Sequence, residues 1–293
     1  MNVEKNFCQH PKKLAGIFKN FRLDWGLVIT YLVLIIMIVI VFYPITWIVS
    51  SSFNPGRSLS GSQLLPRNPT LDHYRVLFNE TDYLLWYKNT LKIAIINSAL
   101  SVVLTTMTAY AFSRFRFWGR KMAMMTFLII QMFPGAMGMI AIYVLLLRLN
   151  LLDTHLGLIL VYAGGQIPFN TWIMKGYLDT IPKSIEEAAY IDGAGHLTVF
   201  YRIMLPLALP IISVVALFNF FGPMFDYILP RIILRSPSNY TLALGLHQFV
   251  SQQFANNFTR FAAGAVLVAF PIAVVYLLLQ KLLISGLTKG AVK

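Results

Sequence analysis

Along most of this chain apolar residues neither alternate with polar ones, as on a half-buried strand, nor recur every three or four positions, as on a surface helix; they fill whole stretches. Six such stretches occupy residues 25–49, 93–112, 122–147, 156–174, 205–225 and 261–279. Crossing ~30 Å of hydrocarbon at 1.5 Å per residue takes roughly 20 mostly apolar residues in a helix. The pattern therefore predicts an all-α integral membrane protein with six transmembrane helices within residues 25–281, an arm at 1–24 and a tail at 282–293. Gly, Pro and Asn inside the stretches do not oppose this, because membrane helices keep them where neighbouring helices re-satisfy the backbone.

Composition agrees. Of 293 residues, 57% are hydrophobic and only 12% charged, about half the charged share of an ordinary soluble domain. Lys plus Arg number 24 against 11 Asp plus Glu, a formal charge of +13. In a soluble chain that excess would point to nucleic acid; in a membrane chain it points to the cytoplasmic side. The arm (Lys5, Lys12, Lys13, Lys19, Arg22), the second loop (Arg114, Arg116, Arg120, Lys121), the fourth loop (Lys175, Lys183, Arg202) and the tail (Lys281, Lys289, Lys293) hold 15 of the 24. The expected location is a cell (inner or plasma) membrane, multi-pass, with both termini cytoplasmic and the lipid bilayer as the first partner. The basic and aromatic run at 114–121 is a short loop with an interfacial Trp118, so no nucleic acid is expected. The first apolar stretch is about twice the ~7–15 residue core of a cleavable signal, which makes it an uncleaved span. Cys8 stands alone, so no intrachain disulfide forms.

The spans lack the equipment of an enzyme or an ion-driven carrier. Asp226 and Lys92 fall at span ends, where snorkelling accounts for them. No carboxylate relay, H-E-x-x-H, G-x-S-x-G or Gly-Lys phosphate loop occurs. No catalytic residue, no metal site and no cofactor of its own is therefore expected, and any energy must come from another subunit. A secondary transporter is the rival reading, and a membrane enzyme a more distant one. Neutral polar residues do occur inside the stretches: Asn97, Thr105, Thr106, Thr108, Gln131, Gln166, Asn170 and Asn219. For most of them, hydrogen bonding between helices is explanation enough. The segment 164–170 gathers Gly164, Gly165, Gln166, Pro168, Phe169 and Asn170, which predicts a broken helix lining a cavity. Gln166, Phe169, Asn170 and Asn219 are the candidate pathway-lining residues.

Residues 182–205 form a polar interval with its own short helical pattern. Ser184 and Glu187 have the spacing of a capping box, predicting a helix from Ile185, and Gly193 with Gly195 predicts its end. A second short helix would run from about Leu197 to Pro206. The product is a bent knuckle with small Ala188, Ala189 and Ala194 on its surface.

Glu187-Ala188-Ala189, Asp192-Gly193-Ala194, Phe200, Ile203, Leu205-Pro206 and Pro210 resemble the coupling-loop signature of permease subunits in binding-protein-dependent ABC importers. Gln131-Met132-Phe133-Pro134, Lys175-Gly176-Tyr177, the run from Tyr240 to Gly245 and the ending from Gly286 to Gly290 place the resemblance in the sugar-importing branch. They are most similar to the smaller membrane subunit of maltose/maltodextrin importers. Permeases for lactose, raffinose and other oligosaccharides share much of the pattern. The resemblance implies a second homologous permease, two cytosolic ATPase subunits that bind ATP and magnesium, and an extracytoplasmic sugar-binding protein. It implies that Glu187, Ala188, Ala189, Asp192, Gly193, Ala194, Leu205 and Pro206 dock the ATPase. It also implies that a tail around Gly286, Leu287, Thr288 and Gly290, which the glycines should keep from being helical, reaches the ATPase pair.

Overall fold

The structure is a computed structural model that describes residues 25–58, 66–251 and 256–291, leaving the arm at 1–24 outside the described residues. No strand occurs among them. In chain order the helices are α1 (Trp25–Ser52), α2 (Asp72–Asn79), α3 (Tyr83–Arg114), α4 (Arg120–Met132), α5 (Met139–Arg148), α6 (His155–Asp179), α7 (Ser184–Ile191), α8 (His196–Val199), α9 (Leu205–Leu207), α10 (Leu209–Phe225), α11 (Ile228–Ile233), α12 (Leu242–His247) and α13 (Phe258–Ala291).

Three unbroken segments, Trp25–Ser52, Tyr83–Arg114 and Phe258–Leu283, are long and apolar enough to cross a membrane; two bent pairs raise this to five if each pair is one span. Three of the six expected spans differ in form from a single continuous apolar helix. The stretch 122–147 bends by 93° between α4 and α5, because Pro134 has no amide hydrogen and holds Phe133 extended at φ −79°, ψ 126°. The stretch beginning at 205 is part of a longer helical run from His196 that bends by 74° before α10. Pro206 and Pro210 each remove a helical hydrogen bond there. The remaining stretch lies in α6, whose 25 residues are long enough to cross but too polar to be counted with the others.

Those polar residues of α6 point inward. Asn170 and Thr171 are buried, since α6 packs against both α3 and α10. The same packing explains a further correction: α6 is not broken at 164–170 but stays α-helical through Gly164, Gly165 and Pro168. Flanking helices hold the turn that the proline weakens. Between α3 and α10, Asn97 Nδ2 donates to the Asn219 carbonyl at 2.7 Å and Ser98 Oγ to the Ala216 carbonyl at 2.8 Å.

The other face of the molecule is apolar and open. In α1 only Ser50, Ser51 and Ser52 are buried, while Ile29, Leu32, Ile35, Ile40 and Phe42 are all more than half exposed. A soluble monomer does not carry an uncovered surface of this kind; lipid or a second apolar subunit must cover it.

The end of the bundle opposite α7 is locked by short polar bonds. Asn89 Nδ2 donates to the carbonyls of Ser238 and Tyr240 at 2.9 and 3.0 Å, and Thr90 Oγ1 accepts from the Leu242 amide at 2.7 Å. Helix α12 thereby sits so close to α3 that a Cβ on Gly245 would fall 2.1 Å from the Trp86 ring. Asp153, itself left-handed at φ 57°, accepts from the amides of Arg235 and Ser236 at 2.9 and 3.0 Å and ties the α5–α6 turn to the segment after α11.

Candidate functional site

The knuckle between α6 and α10 is the most defined polar feature of the opposite end. Helix α7 starts at Ser184, one residue earlier than expected, and makes no side-chain cap. Lys183 precedes it in helical geometry, and its carbonyl already accepts from the amides of Glu186 and Glu187 at 2.9 and 3.0 Å. Ser184 is thus inside the helix, and the expected capping box with Glu187 does not form. The C-terminus is as the glycine predicts. Gly193 is left-handed at φ +84°, its amide reaching the Tyr190 carbonyl at 3.0 Å and that of Ala194 reaching Ala189 at 2.9 Å, the paired bonds of a Schellman ending. Gly195 does not share this role: at φ −77°, ψ 163° it is extended and leads into α8.

The knuckle's outer surface carries Glu187, Ala188, Asp192, Gly193 and Pro206, all exposed. Ile191 is 87% exposed and Leu197 73%, an apolar pair unaccounted for by the chain's own packing and not singled out in the sequence. Ala189 is a correction, being buried against a core of Tyr110, Met174, Leu178, Val199 and Met204. Ala194 and Leu205 are half-buried against the same core.

Beneath that surface lies an ion pair that sequence reasoning missed. Arg114, the last residue of α3, and Glu186 of α7 are bonded through Nε and Oε1, with side chains only 7% and 6% exposed. Arg114 Nη2 also donates to the Ile181 carbonyl at 3.0 Å and Nη1 to Ser113 Oγ at 3.0 Å. Tyr110 donates to the other Glu186 oxygen at 3.1 Å, and Ser113 Oγ donates to Asp179 at 2.6 Å. Burial pushes the Asp179 carboxyl up, but hydrogen bonds from Lys175 and Ser113 and the charges of Lys175 and Arg114 bring it below its ordinary range. Glu186 shares a helical face with the buried Ala189, and a carboxylate on that inward face calls for a cation, but only the structure shows that this face is the inward one.

The four pathway candidates do not form one cluster. Gln166 Nε2 lies 3.1 Å from where a Cβ on Gly222 would stand, which puts it at the α6–α10 contact one turn from Asn219. Asn219 and Asn170 are buried, but Phe169 is 53% exposed. Gln166 Oε1, Asn170 Nδ2 and Asn219 Oδ1 are buried without a hydrogen-bond partner among the described residues. In the tail, α13 continues as helix past Gly286 and Gly290 to Ala291, correcting the expected non-helical ending. A helix already propagating absorbs the ~1 kcal/mol cost of each glycine when no proline or cap ends it. The side chains of Leu287 and Thr288 lie outside the described residues.

Residues 101–289, which contain the knuckle and both of its anchoring helix ends, match the family described as binding-protein-dependent transport system inner membrane component. The chain belongs to this family. It is 46% identical over 270 residues to the galactooligosaccharides transport system permease protein GanQ of Bacillus subtilis, covering 91% of this chain and 95% of that protein. To the maltodextrin transport system permease protein MdxG of the same organism it is 46% identical over 264 residues, covering 90% and 95%. To the maltose/maltodextrin transport system permease protein MalG of Escherichia coli K12 it is 37% identical over 288 residues, covering 91% and 96%. The fold is also that of a chain in the crystal structure of a bacterial ABC transporter involved in the import of alginate, with TM-score 0.76, 24% identity, and coverage of 94% of this chain and 99% of that one. This permease is thus a multi-pass inner-membrane component.

Proposed function

We propose that the protein is a non-catalytic permease subunit of an ATP-driven importer of neutral oligosaccharides, a maltodextrin or a galactooligosaccharide. It would pair with a second, homologous permease, with the pathway between them, and receive sugar from an extracytoplasmic binding protein. Two cytosolic ATPase subunits would bind ATP and magnesium and dock the knuckle. ATP-driven closure of those subunits would pull the knuckle and open the pathway to the other side by rigid-body motion.

The observation that carries the reading is the knuckle. A rigid helix with Glu187, Ala188, Asp192 and Gly193 exposed beside bare Ile191 and Leu197 is shaped for another protein, and the chain itself leaves it uncovered. Two features support a neutral sugar. Along α6 and α10 the buried polar atoms of Gln166, Asn170 and Asn219 are amides. At the end opposite the knuckle, a cavity of about 290 Å³ between α10, α12 and α13 is lined by Phe225, Tyr227, His247 and Phe261, and an aromatic face is what a sugar ring packs on.

The test is uptake of labelled maltotriose and of a galactooligosaccharide by cells expressing the complete transporter, with ATP and the proton gradient depleted separately. ATP-dependent uptake of one sugar supports the reading and names the substrate. Uptake that collapses with the gradient and ignores ATP, or that is restricted to a charged solute, overturns it.

A further inference from the structure

We propose that Arg114 and Glu186 are positioning residues for transport: their buried ion pair makes the knuckle move as one body with the ends of α3 and α6. The inference rests on the permease reading above. Arg114 is the point where three elements meet. Its guanidinium holds Glu186 of α7, the Ile181 carbonyl in the α6–α7 turn and Ser113 of its own helix, and Ser113 passes the contact to Asp179 at the end of α6. Lys175 closes the chain on Asp179 at 2.5 Å.

Stability does not explain such a pair. Removing two charges from water offsets most of their attraction, and apolar replacements of similar volume are often as stable or more so. An apolar contact here would also slide, whereas the flat fork of an arginine fixes distance and direction. The apolar surroundings already exist: Ala189, Met174, Leu178 and Phe200 pack in one core with Tyr110, whose ring lies 4.8 Å from that of Phe200. What the ion pair adds is a fixed orientation of α7 against α3, and α3 packs along both α6 and α10 in the centre of the bundle. A pull on the exposed face of α7 is therefore delivered to the helices that carry Asn97, Asn170 and Asn219.

The experiment uses the complete transporter in proteoliposomes and reads sugar imported per ATP hydrolysed. The double variant Arg114→Met with Glu186→Leu leaves no unpaired charge, so permease and ATPase should copurify in wild-type proportion. Sugar per ATP should fall by about fivefold or more. Arg114→Lys keeps the charge without the fork and should fall between the two. A double variant with the wild-type ratio would show that the pair only fills space. Should the double variant fail to assemble, Arg114→Lys decides alone: an unchanged ratio overturns the proposal, and a lowered ratio at wild-type subunit content supports it. If the wild-type complex imports no sugar with ATP, the permease reading fails first; wild-type import with an unchanged ratio in the variants removes only this inference.

Discussion

Gly193 holds φ +84° in open space, with nothing within 4 Å of where a Cβ would stand. A side chain there meets no wall of this chain, so its internal cost is the left-handed backbone alone, about 1–2 kcal/mol for an ordinary residue. Gly193→Val should weaken ATPase docking and lower uptake while membrane insertion persists. Gly193→Asn, whose side chain tolerates that conformation, should lose less. Copurification of the ATPase with each variant measures the difference, and normal docking of the valine variant would contradict it. Asp153 supports a second prediction. Partial burial pushes its carboxyl up, but the hydrogen bonds from Ser236, the Arg235 amide and Asn239 outweigh this and hold it at about 2, against an ordinary 3.8. A depressed carboxyl stabilises the fold fully above its unfolded value and loses that contribution as pH falls through the folded one, here between about pH 4 and pH 2. Thermal unfolding of the purified permease should therefore show an acid-induced drop across that window that Asp153→Asn flattens.

Elements were legible where one property dominated. The apolar runs of α1, α3 and α13 were long enough to name from composition, and Gly193 marked the end of α7. Bends were less legible, because proline does not declare its effect: Pro134 and the pair Pro206 and Pro210 bend the chain sharply, whereas Pro168 in α6 does not break its helix. The difference is support, since α6 lies between α3 and α10 and its turn is held from both sides. The same lesson applies at the tail, where Gly286 and Gly290 fall within α13. If that ending engages the ATPase pair, deleting residues 286–293 should leave insertion and pairing with the second permease intact and reduce ATP hydrolysis stimulated by the binding protein. Full hydrolysis and full uptake by the truncated complex would show that the ending has no such role.

For the whole molecule, the distribution of basic residues sets an orientation. With 15 of 24 on the arm, the second and fourth polar intervals and the tail, the positive-inside bias predicts a cytoplasmic knuckle and cytoplasmic termini. A reporter fused after Lys293 should be active as a cytoplasmic reporter, and one inserted after Ser236 should report the opposite side. A C-terminal reporter active outside the cytoplasm would reverse the model of coupling as well, since the knuckle could no longer meet a cytosolic ATPase. The uncovered face of α1 belongs to this scale too, because only lipid or another subunit makes such a surface stable.

The sequence alone determined membrane residence, helical class, the family resemblance and the knuckle's place, because each depends on local composition or on residues close together in the chain. It did not determine which side of the knuckle faces inward. Glu186 and Glu187 are neighbours of the same chemistry, yet one is buried on Arg114, 72 residues away in the chain, and the other is exposed. Likewise Ala188 is open and Ala189 is packed into the core. Those assignments depend on where α3 and α6 end in space, and only the packing of the long helices fixes that.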